Sequence, residues 1–469
     1  MTRERARVEK QLTPIGTIRP EQTEFAEPRK DAKGSQRHRL LVVSSHSVPY
    51  AEPLHQRLAQ HPKLDVQVVH CLRGPINDFE FGRTIPADDS AANRYPTIQL
   101  PNSSLKPGLG SFFGLINFRL WGLIRKGNFD AVAVCGYAYL SFWIAFFAAK
   151  SIKIPILIST DATQLQHPRG GWWWKRWIKP AVVRFIYGRL ADIVLVPSTA
   201  GMRFLERLGI PGERLVLTPF VADNAYFAKR STPAARKLIR QRLAIPEHAF
   251  VILYCGKLVR WKRPADLLHA FASLVDRCAD TADSAYLLFA GDGALRRDLE
   301  AQAHSMNLTD QVRFLGFANY AELPEVYAAS DLLVLPSEHE AWGVVVNEAM
   351  ACGVPAVVSD RVGARMDLVI SGETGDFFPL ADVPALSAIL SMRFVNHEET
   401  RKMGEAARRR MASWSYAENV QGWIRAVERI KRSEPASAAN FSQGVPAACP
   451  PKASRARQQA GISTKSSSA

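Results

Sequence analysis

The sequence predicts an α/β protein made of two Rossmann-like, doubly wound domains with a cleft between them, and three observations carry that prediction. Short apolar runs rich in β-branched residues alternate with stretches of helical periodicity. The series of runs stops near residue 220 and starts again near residue 250. A length of 469 residues with 47% hydrophobic content suffices for two buried cores.

Taken in order, the first series is Leu40 to Val43, Val66 to Val69, Ala131 to Val134, Ile154 to Ile158 and Ile193 to Val196. The runs are apolar on nearly every successive residue, Gln67 being the exception, as strands buried on both faces require, and helices between such strands make the sheet parallel. The second series is Phe250 to Tyr254, Ala285 to Ala290, Gln311 to Leu315, Asp331 to Leu335 and Pro355 to Ser359. The expected division is a tail over 1–38, a first domain over 39–220, a second over 221–410, a helix over 411–432 that returns to the first domain, and a basic tail over 433–469. Ligands of open parallel sheets bind beyond the C-terminal strand ends, so the site is expected between the domains.

Composition narrows the function classes. A net charge of +16 suits an anionic partner without choosing among sugar nucleotide, acidic glycan, anionic lipid and nucleic acid. Six cysteines stand far apart, with no Cys-x-x-Cys pair and no zinc-ligand spacing, so reduced thiols in a cytoplasmic protein are expected. Met1 to Arg39 has no apolar core of the kind a signal peptide carries. The uncharged stretch Ala131 to Ala149 approaches a membrane span in length, but Gly136 interrupts it and a buried strand followed by a helix is the expected reading.

The most informative stretch is Pro336 to Pro355, which reads as strand end, loop, helix and the start of a new strand. Glu340 falls on the loop and Glu348 on the first turns of the helix, so both carboxylates can face one cleft and accept from vicinal hydroxyls of a sugar or ribose. Backbone N–H groups of Gly343 and Val344, where the loop enters the helix, suit an anion. This stretch resembles the E-x7-E signature of the retaining GT-B glycosyltransferase family called GT4, or glycosyl transferases group 1. The family's Glu-Gly-Phe-Gly opening reads here as Glu340-Ala341-Trp342-Gly343, and Glu-Ala-Met-Ala-Cys-Gly-Val-Pro stands as Glu348 to Pro355. The resemblance implies that Glu340 contacts the donor sugar near the reacting centre and that Glu348 binds ribose hydroxyls.

A second constellation, Cys255 to Pro264, puts several cations between a strand and a helix, where they can neutralise a departing diphosphate. It resembles the family's Gly-Arg-Leu loop followed by a lysine, with Lys257 in the place of the arginine and Lys262 in that of the lysine. Lysine keeps the charge and loses the bidentate fork. The resemblance extends over residues 250 to 385. Gly291 belongs to a Gly-x-Gly turn expected to line the donor cleft, and the loop from Gly316 to Asn319 is expected to face the base. Asp367 stands where glutamate is common in the family. The first half matches by architecture alone, and its loops offer Asp161 and His46 as acceptor-side candidates, with His167 behind them.

Arg169 to Arg189 interleaves tryptophans with cations, a pattern that suits a membrane interface, packing on the domain with wet cations, or single-stranded nucleic acid. The resulting expectation is a retaining transferase moving a sugar from a nucleoside-diphosphate sugar to a glycan or lipid-linked acceptor. No metal and no further cofactor are expected, since the sequence has no Asp-x-Asp. Nucleic acid is not an expected partner; peripheral contact with an anionic membrane through 169–189 is. The rival readings are a non-catalytic sugar-nucleotide-binding GT-B protein and a GT-B hydrolase or epimerase of sugar nucleotides.

Overall fold

The computed structural model describes residues 37–48, 51–72, 74, 76–78, 83–85, 94–163, 175–278 and 284–433. His167, Arg169 to Trp174 and nearly all of the two stretches read as tails lie outside the described residues.

Among the described residues, nine strands precede residue 220: β1 His38–Ser44, β2 Leu64–His70, β3 Ile76–Asp78, β4 Arg83–Ile85, β5 Thr97–Gln99, β6 Ala131–Cys135, β7 Ile156–Ser159, β8 Ile193–Val196 and β9 Leu215–Leu217. Among the described residues after it, six follow: β10 Phe250–Cys255, β11 Ala285–Ala290, β12 Val312–Gly316, β13 Leu332–Leu335, β14 Ala356–Ser359 and β15 Gly375–Phe378. The first sheet runs β5-β2-β1-β6-β7-β8-β9, with every pair parallel. The second runs β12-β11-β10-β13-β14-β15, again all parallel. Strands β3 and β4 form a separate antiparallel pair.

Burial on both faces explains the unbroken apolar runs. In β10, Val251, Leu253 and Cys255 enter one core while Phe250, Ile252 and Tyr254 enter the core on the other side. In β1, Leu41 and Val43 face one layer of helices, and Leu40 and Val42 the other. The stretch from Ala131 divides as β6 and the helix Leu140–Ser151, with Gly136 at φ 101° between them. That helix has 12 residues, and among the described residues no helix is long and apolar enough to cross a membrane.

In each sheet the chain winds outward from a central strand, returns, and winds out the other way. The reversals fall between β1 and β6 and between β10 and β13, and they open a crevice beyond the strand ends. The last helix, Tyr416–Ser433, leaves the second domain and lays Val420, Trp423, Ile424, Val427 and Ile430 into the core beneath β1 and β2. Its contact is close at Gly422, where a Cβ would stand 2.5 Å from the Leu217 carbonyl oxygen. Trp414 and Tyr416 stay in the core of the second domain.

Candidate active site

At the crevice of the second sheet, the loop after β10 and the loop after β13 are tied together. The Glu338 N–H donates to the Trp261 carbonyl at 2.7 Å, and the ammonium of Lys262, on the short 3-10 turn Arg260–Lys262, pairs with the Glu340 carboxylate. Both side chains are about one-fifth exposed, so the pair is screened only in part. Ser337 donates to the same carboxylate at 3.5 Å. Lys257 lies on the same loop, where its carbonyl accepts from the buried Tyr254 hydroxyl at 2.7 Å. Burial pushes the Tyr254 phenol well above its ordinary range, and the nearby Glu340 charge adds to that, so it stays a donor.

Glycines make the close approach possible. At Gly291, with φ 154°, a Cβ would lie 1.8 Å from the Gly256 carbonyl oxygen, so any side chain would drive the loops after β10 and β11 apart. The Gly291 N–H also donates to the Gly316 carbonyl at 2.8 Å, tying in the end of β12. Gly343, at φ 94°, caps the helix Val344–Ala351 in the left-handed region and turns the first N–H groups of that helix toward the crevice. Ala341, in a place where the resemblance has glycine, is not among the described residues with positive φ, and the Gly363 N–H holds the neighbouring Glu340 carbonyl at 2.9 Å.

Glu348 lies on the other side of the β10 end. It is 5% exposed and accepts from the Tyr327 hydroxyl at 2.7 Å, while that hydroxyl also reaches the Cys255 sulfur at 3.5 Å. Burial pushes its carboxyl up to about 7, against the opposing pull of the Tyr327 bond. Asn319 spends its amide oxygen on the N–H groups of Ala321 and Glu322, which start the helix Leu323–Ala328. Among the described residues, no group of three His, Cys, Asp or Glu side chains is disposed to hold a metal ion.

A cavity of about 620 Å³ lies between the domains. The loops after β1, β6 and β7 supply His46, Tyr137 and Asp161 to its wall, and the second domain supplies His339 and Ala341, which flank Glu340. His46 Nδ1 is 2.9 Å from the Ser45 hydroxyl, and burial lowers its affinity for a second proton. Tyr137 is raised by burial first and then by the charge of Asp161.

The sequence reading missed the supports of this site. Nothing in the sequence around Tyr327 marks it as the phenol that meets Glu348. Trp342 stacks on Trp414 with ring centres 5.7 Å apart and donates to Asn347 at 2.7 Å, while Asn347 and Trp414 both donate to the Phe220 carbonyl at the crossing between the domains. Asp367 reaches across to the first domain and accepts from the N–H and hydroxyl of Thr199 at the start of the helix Thr199–Arg207.

Two parallel sheets facing across a cleft, with cations and carboxylates gathered at the second reversal, define the class as GT-B. Residues 235–410 match the family described as glycosyl transferases group 1, and residues 49–220 match the glycosyl transferase 4-like domain. An alpha-D-kanosaminyltransferase of Streptomyces kanamyceticus is 24% identical over 348 residues, which cover 70% of this chain and 85% of that protein. A D-inositol 3-phosphate glycosyltransferase of Corynebacterium efficiens is 34% identical over 201 residues, 42% of this chain, and a sulfoquinovosyl transferase of Arabidopsis thaliana is 31% identical over 302 residues, 62% of it. The chain spans about half the length of these last two, 46% and 54% respectively. The fold is similar to that of a glycosyltransferase from Rickettsia africae, with a TM-score of 0.65, 16% identity, and 85% of this chain and all of that one covered. It is likewise similar to Anabaena HepE in complex with UDP and glucose, with a TM-score of 0.62, 18% identity, and 83% and 99% covered. The chain belongs to the GT4-type, group 1 family of GT-B glycosyltransferases.

Proposed function

We propose that this glycosyltransferase moves a sugar from a nucleoside diphosphate sugar to an acceptor hydroxyl with retention at the anomeric carbon and without a metal ion, in glycan, polysaccharide or glycolipid synthesis. The observation that carries the reading is the Lys262–Glu340 pair, set on two tied loops at the second reversal with the interdomain cavity beside it.

Lys262 and Lys257 stabilise the departing diphosphate, aided by the N–H groups at Gly343 and Val344. Glu340 holds the donor sugar, Glu348 accepts from the ribose hydroxyls, the loop at Gly316 and Asn319 faces the base, and Gly291 lets the loops close over the ligand. The acceptor oxygen bonds to the anomeric carbon on the face where the carbon–phosphate oxygen bond breaks, and the acceptor proton passes to the diphosphate oxygen. Asp161 and His46 position the acceptor, and the neutral imidazole is free to accept a hydrogen bond from it. Uridine donors come first in a screen, because the similar Anabaena protein is complexed with UDP and glucose. Action on the cytoplasmic side, with peripheral membrane contact through 169–189, belongs to the same reading.

The test is release of nucleoside diphosphate with and without acceptor, after a thermal-shift screen of sugar nucleotides has chosen the donor. Release that needs the acceptor is expected, while equal release without it points to hydrolysis. Lys262→Ala is expected to lower kcat about a hundredfold, the order seen when one preorganised electrostatic donor is lost. Turnover abolished by a chelator and restored by manganese or magnesium overturns the metal-free step.

A further inference from the structure

The helical layer on one side of the first sheet leaves an unusual surface. Helices Arg119–Lys126, Leu140–Ser151 and Lys175–Phe185 pack inward into one core through Leu120, Ile124, Phe142, Phe146 and Val183. Outward, this layer and the loop before it expose Leu105, Phe113 at 62%, Phe118 at 64%, Phe147 at 55% and Phe185 at 50%. An aqueous surface rarely gathers large apolar side chains in this way unless something covers them.

Charge says what covers them. From Arg94 to Ala191 the sequence has thirteen lysines and arginines against two acidic residues, Asp130 and Asp161. Asp161 lines the cavity, and Asp130 accepts from the Arg39 N–H at 2.7 Å at the start of β6, so neither belongs to the outer face of the helices. Lys106, Arg119, Arg125, Lys126, Arg184 and Arg189 are exposed. Aromatic rings set among an excess of cations, with the next acid, Asp192, paired to Lys150 at 3.0 Å, fit the interface of an anionic bilayer, where rings enter the acyl boundary and cations meet lipid phosphates.

The layer also adjoins the cavity. Lys179 and Val183 of the third helix line it, while Val182 and Phe185 of the same helix point to solvent. The Tyr139 hydroxyl holds the exposed loop through the Leu109 carbonyl at 3.1 Å, and Tyr137, two residues earlier, lines the cavity.

We propose that this face, marked by Leu105, Phe113, Phe118, Phe147 and Phe185, docks on an anionic lipid leaflet and presents the interdomain cavity to acceptors carried in that leaflet. The docking stands on this surface alone; the lipid-borne acceptor rests on the glycosyl-transfer reading above.

The experiment is co-sedimentation of the full chain with vesicles of phosphatidylcholine alone and of phosphatidylcholine mixed with phosphatidylglycerol, at low and raised salt. Wild type is expected to bind the anionic vesicles, less so at raised salt, and the neutral ones weakly. The combined variant Phe113→Ser, Phe118→Ser, Phe147→Ser alters only exposed rings, so its melting temperature should hold while partitioning falls roughly tenfold or more. Arg125→Glu with Lys126→Glu should remove the preference for the anionic vesicles. Equal partitioning of wild type and the ring variant, or no binding to anionic vesicles at low salt, overturns the proposal. So does a wild-type dimer in lipid-free solution that the ring variant turns into a monomer, since a second copy is then the occupant. Nucleoside diphosphate release in the absence of vesicles separates the two readings: vesicle binding without turnover of any donor leaves docking standing and sinks transfer, and turnover without binding does the reverse.

Discussion

A single buried carboxyl carries the sharpest consequence at the residue scale. The Glu348 carboxyl is pushed up to about 7 from an ordinary value of 4.5, with burial as the leading cause. A folded-state value above the unfolded one means that the native chain holds this proton more tightly. Its contribution to stability is therefore complete below pH 4.5 and is lost as pH rises through 7, a change of up to about 3 kcal/mol. Glu348→Gln carries no titrating group, so melting curves should show the variant gaining on wild type as pH rises across that interval; parallel curves would remove the assignment. Donor hydroxyls that donate to Glu348 favour its ionised form, so nucleoside diphosphate affinity should rise with pH up to neutrality in wild type and stay flat in the variant. Isothermal titration at several pH values reads this directly. The sequence placed Glu348 beside the cleft through its motif. It could not show the burial or the Tyr327 partner, because the helix Leu323–Ala328 that carries Tyr327 meets Glu348 only in the folded molecule.

At the scale of elements, legibility followed burial. Strands apolar on both faces, such as β1, β6, β8 and β10, announce themselves because their central residues are buried on both sides of the sheet. Three edge strands did not: β5 is Thr97–Gln99, with a half-exposed pattern, and β9 and β15 are short and end their sheets, whereas the edge strand β12 falls on the run Gln311 to Leu315. An edge needs less apolar surface and so leaves a weaker signal. The loops after β10, β11 and β13 show their glycines and charges in the sequence, whereas the backbone crowding between them is visible only in the fold. Gly291→Ala tests that crowding, since its Cβ would meet the Gly256 carbonyl oxygen at 1.8 Å and backbone cannot swing aside as a side chain can. A loss of about 1–3 kcal/mol is expected from chemical denaturation, with donor affinity falling alongside. Trp342→Phe keeps a stacking ring against Trp414 and removes the bond to the buried Asn347 oxygen. Its expected cost is about 1–3 kcal/mol, read from the same denaturation midpoint.

For the whole molecule, the two sheets place their reversals on opposite sides of one cleft, and the chain passes between them near Phe220 and again through the helix Tyr416–Ser433. Those crossings form a hinge region held by Asn347, Trp414 and Asn419, which donate to the Phe220 and Pro219 carbonyls. Away from it, the Asp367 carboxylate accepts two hydrogen bonds from Thr199 and sits at the N-terminal end of the helix Thr199–Arg207, where the helix dipole favours a negative charge. This contact joins the two domains, and its expected role is to hold the cleft closed. Removing it should leave each core intact and let the cleft open. Asp367→Ala and Thr199→Val are each expected to cost about 1–3 kcal/mol of stability. Because they break one contact, the double variant should cost little more than either alone. Small-angle scattering should show a larger radius of gyration for the variants without ligand, and KM should rise for donor and acceptor together while the vesicle binding of the first domain is unchanged. Strictly additive losses, with scattering identical to wild type, would mean that Asp367 and Thr199 act separately and that the cleft is held by the hinge alone.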